Sequence, residues 1–237
     1  SLDLSEQADV IICDYNYAFD PRVKLKRFFL DKGEYALLID EAHHLPERAR
    51  AMLSARIEKK DFQELRKALK AEEYARPAYE AIGDILKALK KLALEYEESA
   101  ALEEPPEGLY QPMQDFLEAA RPLLGEGLAA HQLLYDRYFE ALNYLRVADA
   151  FQKDYRALVE PEGKNLSVKL WCFDPARALR EAMSRVRASV LFSATLSPID
   201  FYMRASGLVE DEGDAFMELD SPFLRENLLA MRFPVDT

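Results

Sequence analysis

Glycine is scarce in this sequence, eight among 237 residues, and nowhere do glycines form the pattern Gly-x-x-x-x-Gly-Lys-[Ser/Thr]. Without that loop there is no backbone cradle and no lysine for the β- and γ-phosphates of a nucleoside triphosphate. Cysteine is scarcer still. Cys13 and Cys172 are the only two, each within an apolar run and neither in a paired ligand spacing, which argues against a cysteine-held metal and predicts two buried structural thiols. No apolar run approaches the roughly eighteen residues of a membrane span, and the first residues lack the basic-then-apolar pattern of a signal peptide. Cytoplasmic is the default localisation, with no membrane partner. Positive charge is also short: 31 Lys and Arg face 43 Asp and Glu, a net charge of -12. Such a surface repels nucleic acid on average, so any binding of DNA requires a local basic groove.

What is present is an ordinary folded composition, 49% hydrophobic and 31% charged, enough for one large domain or two small ones. The stretch that organises it is Tyr35-Ala36-Leu37-Leu38-Ile39-Asp40-Glu41-Ala42-His43-His44-Leu45. Its unbroken apolar start reads as a strand buried on both faces, the habit of a parallel α/β sheet. Asp40 and Glu41 emerge together at the carboxyl end of that strand, where open α/β sheets hold their ligands and where a magnesium-bound phosphate would lie. An Asp-Glu pair also suits the start of any helix. Pro46 is the better first helical residue, which leaves residues 40–44 as a loop. A specified tetrapeptide such as Asp-Glu-Ala-His arises by chance in a chain of this length about once in several hundred sequences.

Residues 10–13 are dense in Val and Ile and read as another buried strand. After Asp20-Pro21 comes a helix pattern bearing Arg22, Lys24, Lys26 and Arg27, the most basic short segment, which serves either as a solvated face or as a phosphate contact. From about residue 58 the pattern turns amphipathic. Phe62, Leu65 and Leu69, then Ile82 through Tyr96, then Met113 through Ala120, then Leu134 through Leu145 and on to Tyr155, repeat at helical spacing. Four helices are expected, forming a bundle inserted between two strands. The aromatics of the last helix, among them Tyr135, Tyr138 and Phe139, suit a helical core or a base-stacking surface. Between residues 58 and 165, 15 Lys and Arg stand against 22 Asp and Glu, so no general DNA-binding face is indicated there. Strand patterns return at residues 167–173 and 190–192, with Ser193-Ala194-Thr195 at the end of the second. All four strands, including residues 35–39, are expected in one mostly parallel sheet. One further strand is expected near residues 228–233.

Asp40-Glu41-Ala42-His43 resembles the second motif of superfamily 2 helicases. Two other stretches narrow the resemblance to the DinG/XPD-like DNA helicases: Ala8-Asp9-Val10-Ile11-Ile12-Cys13-Asp14-Tyr15-Asn16-Tyr17, and Val190-Leu191-Phe192-Ser193-Ala194-Thr195-Leu196-Ser197-Pro198, which is similar to the third motif of that family. The fold it implies is α/β, a partial RecA-like parallel sheet with a large inserted α-helical domain called the arch. The chain then divides into the first RecA-like domain at 1–57 and 166–207, the arch at 58–165, and the start of a second RecA-like domain at 208–237. The implied cofactors are ATP and magnesium, and the implied partner is single-stranded DNA, with protein partners through the arch. By the same resemblance Asp40 holds the magnesium directly or through water, Glu41 takes the proton of the attacking water, and His43 with Ser193, Ala194 and Thr195 couples the nucleotide to movement. The iron–sulfur cluster of many members has no ligands in this chain. Because the family places the phosphate loop ahead of Asp9, ATP hydrolysis is expected of the parent protein and not of this chain alone. The competing class is an α-helical protein-interaction module on an inactive α/β base. The helicase reading requires Asp40 and Ser193 to end neighbouring strands on one edge.

Overall fold

A computed structural model describes residues 2–29, 32–125 and 131–222. The chain begins with three single-turn helices, α1 (Leu2–Ser5), α2 (Asn16–Phe19) and α3 (Lys26–Phe29). Strand β1 (Ala36–Ile39) follows, then a 3-10 turn at Ala42–His44 and helix α4 (Leu45–Met52), with Pro46 in its first turn as expected. An inserted body comes next: β2 (Ala55–Glu58), α5 (Lys59–Ala68), α6 (Arg76–Glu95), β3 (Ala100–Leu102), α7 (Tyr110–Ala120), α8 (His131–Asp149), β4 (Tyr155–Glu162) and β5 (Asn165–Cys172). The chain then returns to its starting region as α9 (Ala176–Met183), β6 (Ala188–Leu191) and α10 (Ile199–Ala205).

β1 and β6 pair in parallel, with Ile39 opposite Leu191. Phe28, Ile39, Ala42, Leu45, Ala49, Leu179 and Met183 form one core beneath them, made with α2, α3, α4 and α9. Leu38 is 72% exposed and Val190 50%, so helices cover only one face of this pair among the described residues, not both as the apolar runs suggested. The expected four-stranded parallel sheet is corrected in two further ways. Residues 10–13 form no strand, with Val10 78% and Ile12 96% exposed, because a β-branched run becomes a strand only where a ladder partner accepts its backbone groups. Cys13 is accordingly exposed rather than buried, whereas Cys172 is buried and burial pushes its thiol up to about 11. Residues 165–172 do form a strand, but it pairs antiparallel with β2 and β4 inside the inserted body. The strand expected near 228–233 falls outside the described residues.

The inserted body has the four expected helices, and beside them a four-stranded antiparallel sheet in the order β2-β5-β4-β3. Tyr155, read as a possible helix position, opens β4. Along β4 and β5, Ala157, Val159, Leu166, Val168 and Leu170 are fully buried, and the helices lay Phe62, Ile85, Phe116, Leu134 and Tyr144 over them. Phe62 and Phe116 meet edge to face with ring centres 5.9 Å apart, an arrangement the ring quadrupole favours. The hairpin between β4 and β5 turns through Gly163 and Lys164, with Gly163 at φ 61°, a conformation that a side chain disfavours. The body leaves and rejoins the base at one place: the Cys172 N–H donates to the Ser54 hydroxyl at 3.0 Å, and the Arg50 guanidinium donates to the Phe173 carbonyl at 3.0 Å. No helix among the described residues is long and apolar enough to cross a membrane.

Between α5 and α8, Arg137 bridges Asp61 at 2.8 Å and Glu140 at 2.9 Å. Burial pushes the Glu140 carboxyl up to about 7; Arg137 pulls it down, while Asp61, Asp136 and Glu58 push it further up. A folded pKa above the ordinary 4.5 means that the folded chain keeps a proton which the unfolded chain has lost. The stabilisation is therefore fully present below about 4.5 and is lost as pH rises through 7. Urea unfolding followed across this window should show Glu140→Gln flattening the decline in stability seen in the unmodified chain. An unchanged pH slope in the variant would contradict this.

Candidate functional site

The parallel register carries the site. Ile39 lies opposite Leu191, so Asp40 and Phe192 are the next residues on neighbouring strands, and Ser193 follows at the same edge. Backbone bonds lock this edge beyond the strands: the Phe192 N–H donates to the Ile39 carbonyl at 3.0 Å, and the Ala42 N–H to the Phe192 carbonyl at 3.1 Å. Ala42 is fully buried, which pins the loop while its neighbours stay accessible.

Glu41 has φ 48° and ψ 41°, the left-handed region, and it is the one non-glycine residue with positive φ among those described. For an L-residue with a Cβ this costs on the order of 1–2 kcal/mol. The turn aims the Glu41 carboxylate at the far strand. Its Oε2 lies 3.2 Å from His43 Nδ1 and accepts from the Ser193 hydroxyl at 3.4 Å. His43 Nδ1 and Ser193 Oγ are 2.8 Å apart, and the Thr195 N–H and hydroxyl approach Ser193 Oγ at 3.2 and 3.3 Å. His43 Nδ1 thus lies within reach of both the Glu41 carboxylate and the Ser193 hydroxyl. The His44 ring packs 3.8 Å from that of His43 and limits its swing.

Asp40 is exposed, and its Oδ1 accepts the Glu41 N–H at 2.7 Å. The Tyr15 hydroxyl donates to the Asp40 carbonyl. Burial, followed by the nearby Asp40 and Glu41 charges, raises the Tyr15 pKa, so its hydroxyl stays a donor. Tyr15 was not singled out as a site residue from sequence, although its place just after an apolar run was the available signal. Asp14 beside it reaches Arg48 of α4 at 3.6 Å. Of the sequence-predicted residues, Glu41, His43, Ser193 and Thr195 are thus brought together. Asp40 stands beside them with its carboxylate toward solvent, and Ala194 spans the two hydroxyl residues without a polar side chain of its own. No group of three or more His, Cys, Asp or Glu suited to a metal exists among the described residues. Magnesium, however, is commonly held by one or two carboxylates with waters and phosphate oxygens. One exposed Asp with a partly uncommitted carboxylate fits that requirement.

Comparison with known proteins gives one family match and several matches of fold. Residues 1–62 match the DEAD_2 family model, a span that includes Tyr15 and the whole Asp40–His44 loop. Among solved structures, the chain is similar to an apo XPD with TM-score 0.51 and 20% identity, over 86% of this chain and 39% of that one. An XPD helicase gives TM-score 0.54 and 22% identity over 88% and 36% of the two chains, and a truncated XPD 0.54 and 20% over 87% and 57%. The chain therefore spans between 36% and 57% of the length of these structures, and at such identities the likeness is one of fold. The DEAD_2 match over residues 1–62 and the likeness of fold to XPD structures agree with the resemblance read from the sequence.

The strain at Glu41 gives a direct prediction. Glu41→Gly and Glu41→Ala both remove the carboxylate, but only glycine relieves the left-handed backbone, so the Gly variant should be the more stable by about 1 kcal/mol. Urea unfolding reads the difference. Equal stabilities, or a more stable Ala variant, would mean that no backbone strain resides there.

Proposed function

We propose that this chain is the part of an ATP-dependent DNA helicase that carries the hydrolytic base and its link to motion. The observation that carries the reading is the convergence of Glu41, His43 and Ser193 within 3.4 Å at the carboxyl edge of a parallel strand pair, although about 150 residues separate them. A structural helix cap needs no such partner from a distant strand. The whole protein couples Mg-ATP hydrolysis to translocation on single-stranded DNA and unwinding, with a phosphate loop from outside this sequence. Residues 2–54 and 173–207 make up the first RecA-like domain in this reading, and residues 55–172 act as the arch that closes over the displaced strand.

Asp40 holds the magnesium of the nucleotide, which supplies charge neutralisation at the β- and γ-phosphates. Glu41 accepts the proton of the attacking water. His43 and Ser193, whose Nδ1 and Oγ lie 3.2 and 3.4 Å from the Glu41 carboxylate, sense whether that carboxylate is engaged, and Thr195 extends the contact toward the segment leading to α10. A second reading, the insertion as a protein-docking module, is favoured by its acid surplus of 22 against 15 between residues 58 and 165. Both readings can hold in one protein.

In the parent enzyme, Glu41→Gln should lower hydrolysis about a hundredfold to ten-thousandfold while leaving ATP binding largely intact, since Gln keeps the size of Glu but takes no proton. Asp40→Asn should weaken nucleotide binding and turnover together. Steady-state ATPase rates with equilibrium nucleotide binding test both. Parent-like rates in the two variants would reduce the pair to a helix-start feature.

A further inference from the structure

A cleft of about 220 Å³ opens where the inserted body meets the base, bounded by the segment after α2, by α4, by the end of α8 and by α9. Phe19 and Tyr155 give it an aromatic floor, and Lys24, Arg177, Arg185 and Glu181 supply its charges. In a chain of net charge -12, three cations stand here against Glu181 and, behind Arg177, Asp154, a local excess of one positive charge. Their commitments differ. Arg177 is held 2.9 Å from the buried Asp154, and Arg185 2.9 Å from Glu181. The Lys24 ammonium has no hydrogen bond or ion pair among the described residues. It is half-buried, and that burial, together with the nearby Arg185 charge, lowers its pKa against the pull of Glu181.

Glu181 is committed to Arg185, so the half-buried Lys24 ammonium, lining the cleft without an ion pair of its own among the described residues, favours an incoming anion. Of common anions, phosphate has the charge and the number of acceptor oxygens to engage a lysine and a guanidinium at once. The space exceeds one phosphate and is smaller than a typical drug-sized pocket of roughly 300 Å³ or more. It matches one phosphate with a small group such as a sugar attached. We infer that this cleft is a binding site for a phosphate group, held by Lys24 and Arg185 and distinct from the Asp40–Ser193 edge. Two sources offer that chemistry, the backbone of single-stranded DNA and free phosphate. A group bound here touches α4 and α9, which lead from and into the two strands of the hydrolytic edge, and also Tyr155 of the inserted body. The inference does not rest on ATP hydrolysis, because binding by this chain alone reports it.

The test uses the chain itself at low salt, with a labelled short oligothymidylate followed by fluorescence anisotropy and inorganic phosphate followed by thermal melting. Lys24→Gln should weaken the binding about tenfold, the loss of one charge-assisted contact, while Lys24→Arg retains it. Lys24→Gln should melt no lower than the unmodified chain in phosphate-free buffer, since it relieves a repulsion. Arg185→Gln provides an independent second variant. Oligonucleotide binding that falls in these variants identifies the DNA backbone as the source. A phosphate-induced rise in melting temperature that the variants lose, without oligonucleotide binding, identifies free phosphate. Either result supports the site. If neither ligand responds to Lys24→Gln or Arg185→Gln, the inference is overturned.

Discussion

Everything at the candidate site depends on one pairing, four residues of β1 lying parallel to four residues of β6. Parallel strands need a crossover, and here the connection holds the entire inserted body. The cost of so long a connection is small in entropy, rising only as the logarithm of its length. It is smaller still because the insertion folds on its own sheet and core, and its two ends meet at the bond between Cys172 and Ser54. To the base, more than a hundred residues therefore act as a short link. α4 and α9, which flank that link, also pack beneath the two strands, so the junction that closes the insertion also fixes the register of the site.

The register explains why the chemistry could be read from so little. The apolar run before Asp40 and the one before Ser193 each ended where an α/β sheet presents its ligand edge, and that much followed from period and position. The strained turn at Glu41 did not, because a left-handed backbone in a residue other than glycine is imposed by its surroundings, here the buried Ala42 and its bond to Phe192. Tyr15 escaped notice for a similar reason: its hydroxyl matters only through Asp40, 25 residues away.

The inserted body shows the limits of periodicity most clearly. Its four helices were visible as amphipathic repeats, yet its sheet was not. Ala55 to Glu58 and Ala100 to Leu102 are too short to show alternation. β5 did alternate, at Val168, Leu170 and Cys172, but alternation fixes which face is buried and says nothing about which strand lies alongside. Residues 10–13 failed in the opposite sense, since propensity without a ladder partner left Val10 and Ile12 exposed. Charge behaved likewise: a net of -12 and an acidic insertion described the average surface, while the cations of Lys24, Arg177 and Arg185 came together only through folding.

The central claim is that residues some 150 positions apart act as one unit across the β1–β6 edge. A double-mutant cycle between His43→Ala and Ser193→Ala, read as unfolding free energies of this chain, measures that coupling without any nucleotide. The 2.8 Å contact predicts non-additivity of about 0.5–1.5 kcal/mol. Effects that simply add, within about 0.3 kcal/mol, would show that the two strands meet without joining their chemistry, and the account of the site would fall with them.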